Sequence, residues 1–195
     1  MKKAFFLISI LALSVFTTAC INNLAVQELN NKAAEYMKKG DYENAISRLK
    51  SSTDLDSNIF ETQYNLAVAY TENGDYSDAV ETFKKALELK PQSKETYYAM
   101  AVMYENYARD LYIGETKEQK EALEDEDDDT KSLNADGKYN PTNEEIQNVK
   151  KYYEDSVEAY EKYLKLSGST PDSSDVTAHI ENLKSTIETL DFDSN

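Results

Sequence analysis

A motif that recurs after 34 residues constrains this chain more than any other feature. Residues 36–46 contain a tyrosine, then Gly-Asp-Tyr, then alanine followed by a branched apolar residue, and residues 70–80 repeat this order. A fixed period of this length is typical of helix-pair units that cannot bury their apolar faces alone and therefore stack on one another. The pattern predicts an all-α solenoid of helix-turn-helix units, a class that presents long grooves to other chains.

The second unit, predicted at residues 60–93, shows the pattern most completely. Its characteristic positions are Leu66, Ala67, Tyr70, Gly74, Tyr76, Ala79, Phe83, Ala86 and Pro91. The small alanines let two helices cross closely, the large side chains fill the seam between them, and the glycine allows the turn. These residues resemble the tetratricopeptide repeat, a helix-turn-helix unit of 34 residues. The resemblance implies an all-α solenoid that binds peptide segments of partner proteins.

About three such repeats cover most of the chain. The first is predicted at 26–59, with Ser52 in place of the second-helix alanine, and the third at 94–166. An acidic insertion at about 109–150 interrupts the third repeat, whose second helix resumes at 156–166. Residues 167–174 are predicted as a loop, 175–190 as a capping helix with Ser174 or Asp175 at its N-cap, and 191–195 as a tail. The single histidine, His179, is expected at the surface of this last helix.

The insertion is strongly acidic, with a run of six carboxylates at residues 124–129. Packed carboxylates repel one another, which favours a mobile loop unless a positive group holds it. Thr116 and Gln119 have the spacing of a capping box, so a short helix is expected there. Asn134 and Asp136, followed by Gly137, echo the start of a calcium loop, but the first and twelfth positions do not fit. A calcium site, a basic partner segment and a plain solvated charge run stay open as alternatives.

The resemblance also implies which residues line the groove, namely the family's exposed positions on the first helix of each repeat. For the second and third repeats these are Glu61, Tyr64, Val68, Thr71, Glu95, Tyr98, Val102 and Glu105. Tyr64 and Tyr98 are not among the tyrosines that the repeat itself requires, so we expect them to be anchors. A groove of aromatic rings with an acidic rim suits an apolar segment that carries lysine or arginine.

The first twenty residues have the features of an export signal. Lys2 and Lys3 precede an apolar run from Ala4 to Phe16, which is shorter than the about 20 residues that a membrane-spanning helix needs. Thr-Thr-Ala-Cys then resembles the lipobox of bacterial lipoproteins, with threonine where that family most often has leucine. This resemblance implies cleavage after residue 19, attachment of lipid (palmitate) to Cys20 and a short tether over 20–25. Ordinary cleavage of a secreted chain is the alternative.

Charge and composition restrict the function further. The chain has 37 acidic against 21 basic residues, a net charge of −16, which argues against nucleic-acid binding and against membrane adhesion other than through a lipid anchor. One histidine, one cysteine and the absence of a phosphate loop or nucleophile elbow argue against an enzyme, and no cofactor is expected. The sequence predicts an exported, lipid-anchored scaffold of the bacterial cell envelope, with envelope or pilus assembly as possible roles and a calcium-responsive module as the alternative. The oligomeric state stays open.

Overall fold

The computed structural model describes residues 23–124 and 139–193 of the chain, and the predicted all-α helix-turn-helix solenoid is confirmed. The helices are α1 (residues 23–37), α2 (Tyr42–Leu55), α3 (Phe60–Asn73), α4 (Tyr76–Leu89), α5 (Lys94–Ile113), α6 (Lys117–Glu124), α7 (Asn143–Ser167) and α8 (Ser173–Asp193). From α2 to α5 each helix packs on the next, α5 then packs on α7, and α7 packs on α8. None of the helices in the described ranges is long and apolar enough to cross a membrane.

The turn inside the second repeat shows how the sequence separates two helices. Gly74 has φ of 76°, a left-handed conformation that side chains with a Cβ adopt at a cost. Its backbone N–H donates to the carbonyl of Thr71, and the next N–H, of Asp75, donates to Tyr70 at 2.9 Å. These bonds satisfy the last carbonyls of α3 and reverse the chain into α4.

The core of the solenoid combines small and large side chains as the repeat requires. Ala45, Ala67, Ala79 and Ala101 are fully buried, so neighbouring helices approach closely at these positions. Phe83 is also fully buried, and the ring of Tyr64 packs against its edge with the centroids 6.2 Å apart. One continuous apolar cluster therefore runs from α1 to α8.

A small polar cluster replaces apolar packing where the first repeat meets the second. The side-chain amide of Asn30 donates to the hydroxyls of Ser52 and Thr62, at 2.9 Å each. Ser52 and Thr62 are fully buried. The serine that stands in place of the family's alanine thus has a partner, because buried hydroxyl groups need hydrogen bonds.

The third repeat differs from the prediction in the extent of its helices. The sequence predicts an insertion at about 109–150, but α5 continues to Ile113 and α7 already begins at Asn143, so both boundaries of the insertion move inward. The extended ends form a second small core, in which Ala108 and Val149 are buried together with Leu190 of α8. Helix α5 has 20 residues where α3 has 14, because these contacts support its additional turns.

The described ends of the insertion are attached to the repeats. The predicted capping box is present, since the N–H of Gln119 donates to the hydroxyl of Thr116 and the N–H of Thr116 donates back to the Gln119 side chain, at 3.3 Å each. Lys117 forms an ion pair of 2.5 Å with Asp75 in the turn of the second repeat. Residues 125–138, which include Asn134 and Asp136, lie outside the described residues.

Tyr139 and Glu145 connect the C-terminal end of the insertion to the end of α5. The amide of Gln119 donates to the carbonyl of Leu111 and to Glu145, at 2.9 Å each, and the hydroxyl of Tyr139 donates to Glu145. Burial raises the pKa of Glu145, but hydrogen bonds from Tyr139, Thr142 and Gln119 outweigh it and lower the pKa. The carboxylate is therefore held in its charged form at the start of α7.

The last helix is longer than the predicted 175–190. Helix α8 begins at Ser173, so the N-cap cannot be Ser174 or Asp175, which lie inside the first turn. The Ser173 hydroxyl donates to the carbonyl of Gly168 at 3.0 Å and accepts from the N–H of Thr170 at 2.9 Å, which fixes the entering loop. The helix continues to Asp193, into the predicted tail.

Candidate groove site

Helix α8 packs on α7, as the first helix of a further repeat would pack on the second helix before it. A cavity of about 550 Å³ opens between α3, α5, α7 and α8. Its lining residues are Tyr64, Lys94, Glu95, Tyr98, Tyr163, Asp172, Asp175 and Val176. Three of the predicted groove residues, Tyr64, Glu95 and Tyr98, therefore share one cavity.

The rings of this cavity are held by other aromatic residues. Tyr98 is 43% exposed, and its ring meets those of Tyr160 and Tyr163 edge to face, with centroids 5.6 and 5.1 Å apart. Tyr64 stacks on Phe60 at 6.0 Å. Burial raises the pKa of Tyr64, and the charge of Glu95 raises it further, so its hydroxyl stays neutral at physiological pH. The cavity thus presents positioned, uncharged aromatic surfaces.

The remaining predicted groove residues on α3 do not reach the cavity. Glu61 lies 3.7 Å from Lys90, whose ammonium also sits 4.1 Å above the ring of Phe60. Val68 is half-buried and packs against the core. Thr71 is only 9% exposed, and its hydroxyl donates to the carbonyl of Ala67 in its own helix. Thr71 therefore does not offer its hydroxyl to a partner.

The two predicted groove residues at the far end of α5 are also engaged within the protein. Val102 is half-buried against the core. Glu105 lies 2.8 Å from the Nε2 atom of His179 and accepts from the hydroxyl of Tyr160 at 3.4 Å. His179, expected at the surface, is in fact half-exposed and also packs edge to face on Tyr160. This cluster connects α8 to α5 and occupies the groove where Glu105 was expected to be free.

Sequence reasoning missed the contribution of α7, of α8 and of the loop between them to the cavity, from Tyr163, Asp175, Val176 and Asp172. One signal could have found the first of them. Tyr163 aligns with Ala86 of the second repeat, a fully buried position where the family needs a small residue. A large ring there indicates that the last repeat packs differently and leaves an aromatic surface at the groove.

The other predicted sites are outside what the structure describes. Cys20 precedes residue 23, and the calcium candidates Asn134 and Asp136 fall between residues 124 and 139. In residues 23–124 and 139–193, no group of three or more His, Cys, Asp or Glu side chains is arranged to hold a metal ion.

Stacked helix pairs with a lined groove define the class of α-solenoid interaction scaffolds. A tetratricopeptide-repeat family model matches residues 60–93, the same residues that the sequence predicts for the second repeat, and a second TPR-repeat model matches residues 33–74. Residues 33–93 are therefore tetratricopeptide repeats, which are protein-interaction modules.

Solved structures that resemble the chain include the MamA RS-1 ArsTM double mutant, at 17% identity and a TM-score of 0.39, covering 85% of this chain and 97% of that one. Another, from Bacteroides ovatus ATCC 8483 and described as a protein binding protein, has 17% identity and a TM-score of 0.23, covering 83% and 98%. No curated protein sequence matches the chain. With both TM-scores below 0.5, the assignment of residues 33–93 as repeats rests on the repeat models alone.

Proposed function

We propose that this chain is a lipid-anchored tetratricopeptide scaffold of the bacterial cell envelope that binds a segment of a partner protein in its groove. The observation that carries the proposal is the cavity lined by Tyr64, Tyr98 and Tyr163. Its volume of about 550 Å³ lies within the usual range of ligand sites, about 300–1,000 Å³. Partly exposed tyrosines in such a cavity are frequent anchors of protein interfaces, because they supply a large rigid contact surface.

The electrostatics of the cavity favour a partner segment with apolar and basic side chains. Glu95, Asp172 and Asp175 stand at its rim against one lysine, Lys94. The net charge of −16 adds a long-range field that attracts basic partners and repels acidic ones. Nucleic acid is disfavoured for the same reason.

Photo-crosslinking in cells tests the groove with a matched pair of positions. Tyr97 and Tyr98 are consecutive tyrosines of α5, but Tyr98 lines the groove cavity whereas Tyr97 lines a separate cleft beside Lys162. A photoreactive phenylalanine analogue at position 98 is expected to give a discrete adduct, and one at position 97 is not. The adduct at 98 should be lost when Tyr64→Ala is added to the chain, because Tyr64 lines the same cavity. Equal adducts from 97 and 98 would contradict a groove-binding scaffold.

The anchor is tested separately by the variant Cys20→Ser. Because the thiol of Cys20 is the group to which the lipoprotein resemblance assigns the lipid, this variant is expected to lose all labelling by a palmitate analogue. Its signal peptide should also stay uncleaved by lipoprotein signal peptidase. Labelling that persists in Cys20→Ser would place the lipid on another residue, and labelling missing from the unaltered chain would leave a scaffold without a lipid anchor.

A further inference from the structure

We propose that the groove cavity is a receptor for one arginine side chain of the partner segment, an inference that rests on the proposed function and names the residue it recognises. The guanidinium group would lie among the rings of Tyr64, Tyr98 and Tyr163, with Glu95 as its principal carboxylate. The cavity thereby becomes a specificity site rather than a general apolar contact.

The first argument is that the carboxylates of the cavity are available. Of the predicted acidic groove residues, Glu61 is paired with Lys90 and Glu105 with His179. Within residues 23–124 and 139–193, the hydrogen bond that Glu95 accepts comes from the neutral hydroxyl of Ser93, at 3.3 Å. Among the described residues, no lysine or arginine nitrogen lies within 4.0 Å of Glu95, Asp172 or Asp175, including Lys94 of the same cavity. A cation that enters would meet negative charges that the protein does not itself neutralise.

The second argument is the aromatic lining of the cavity. The acidic residues have a local explanation that does not apply to the tyrosines beside them. Glu95 lies in the first turn of α5 and Asp175 in that of α8, where negative charge also stabilises a helix. That local effect does not require tyrosines beside them. The rings of Tyr98 and Tyr163 lie 5.1 Å apart and are inclined at 64°, so they pack into one aromatic cluster at the cavity. The face of a tyrosine ring attracts a cation electrostatically, most strongly where water is excluded.

Arginine fits these features better than lysine does. Its planar guanidinium stacks on aromatic rings and donates two parallel hydrogen bonds to one carboxylate, whereas an ammonium group is compact and strongly hydrated. The chain contains a related contact with a lysine of its own, since Lys90 lies over Phe60 beside Glu61. In the groove cavity Lys94 is the nearby cation, and within the described residues it forms neither a cation–π contact with the rings nor an ion pair with Glu95.

Small probes test the inference without knowledge of the partner. The full chain in detergent, with ¹³C-labelled tyrosine rings, is titrated with N-acetylarginine amide and with N-acetylcitrulline amide, which has nearly the same shape and no charge. The arginine probe is expected to shift the Tyr64, Tyr98 and Tyr163 signals with a Kd on the order of 1–10 mM, and the citrulline probe to bind about tenfold more weakly. Glu95→Gln should weaken binding of the arginine probe about three- to tenfold.

A matched carboxylate controls for the overall charge of the protein. Glu81 is an exposed residue that lines a different cleft, between α2 and α4, so Glu81→Gln should leave the Kd of the arginine probe unchanged. Equal affinity for the two probes, or equal effects of Glu95→Gln and Glu81→Gln, would overturn the arginine site. If position 98 still gave a discrete crosslink that position 97 does not give, the scaffold proposal would be supported and only the arginine site would be contradicted. Loss of both results would remove the groove function as a whole.

Discussion

Replacing Phe83 by alanine is expected to lower the free energy of unfolding by about 3–5 kcal/mol, the range for removing a buried aromatic side chain. Phe83 is fully buried in the second repeat and its ring contacts that of Tyr64. The space left behind cannot close easily, because the surrounding alanines bring the helix backbones together. Chemical denaturation followed by circular dichroism measures the change.

Leu89 of the same helix provides the control for this variant. It is 37% exposed at the end of α4, so Leu89→Ala should cost no more than about 1 kcal/mol. Phe83→Leu, which keeps most of the apolar volume, should fall between the two. If Phe83→Ala cost no more than Leu89→Ala, Phe83 would not be the centre of a shared core.

Gly114→Ala is expected to destabilise the chain by about 2–4 kcal/mol, combining the cost of a left-handed backbone with that of overpacking. Gly114 has φ of 76°, and a Cβ at this position would overlap the Cγ atom of Tyr139 and lie 2.9 Å from its Cβ. These atoms sit close to the Tyr139 backbone and cannot swing away as a flexible side-chain end can. The hydrogen bond of Tyr139 to Glu145 should be lost with the displacement.

The variant Gly40→Ala separates the cost of the left-handed backbone from the cost of overpacking. Its φ of 73° is nearly the same, but a Cβ there would meet nothing within 4 Å, so Gly40→Ala should cost only about 1–2 kcal/mol. Hydrogen exchange should report faster exchange at the start of α7 in Gly114→Ala and unchanged exchange there in Gly40→Ala. Equal destabilisation by the two variants would show that Tyr139 does not pack firmly against the end of α5.

The local features of the chain were predictable because they depend on nearby residues. The helix pairs of the first two repeats follow from the 34-residue period, and the glycine turn at Gly74 has the expected left-handed backbone. The capping box of Thr116 and Gln119 was equally visible, since both partners lie within one turn. In each case the stabilising contacts form between neighbours in sequence, so the pattern of residue types carries the information.

The ends of the third repeat could not be predicted in the same way. Helix α5 continues beyond Ala108 to Ile113, because Val149 of α7 and Leu190 of α8 cover the helix face that carries Ala108. The charge of the insertion suggested a loop from about residue 109 onwards. Burial of α5 against distant segments outweighed this local preference for a loop. The 34-residue period does not predict which distant residues bury the end of α5.

The sequence by itself determined the class of the fold, because a repeated unit must stack on its neighbours in order to bury its apolar face. It also singled out Tyr64 and Tyr98 as residues that the repeat does not need. Only the tertiary structure decided that they share a cavity with Tyr163 and the start of α8. It also decided that the His179 side chain contacts the carboxylate of Glu105. Those residues are far apart along the chain, and their meeting depends on how α8 packs on α7 and reaches α5 through His179. Contacts between residues so far apart in sequence depend on how whole helices pack, and a local pattern of residues does not predict that packing.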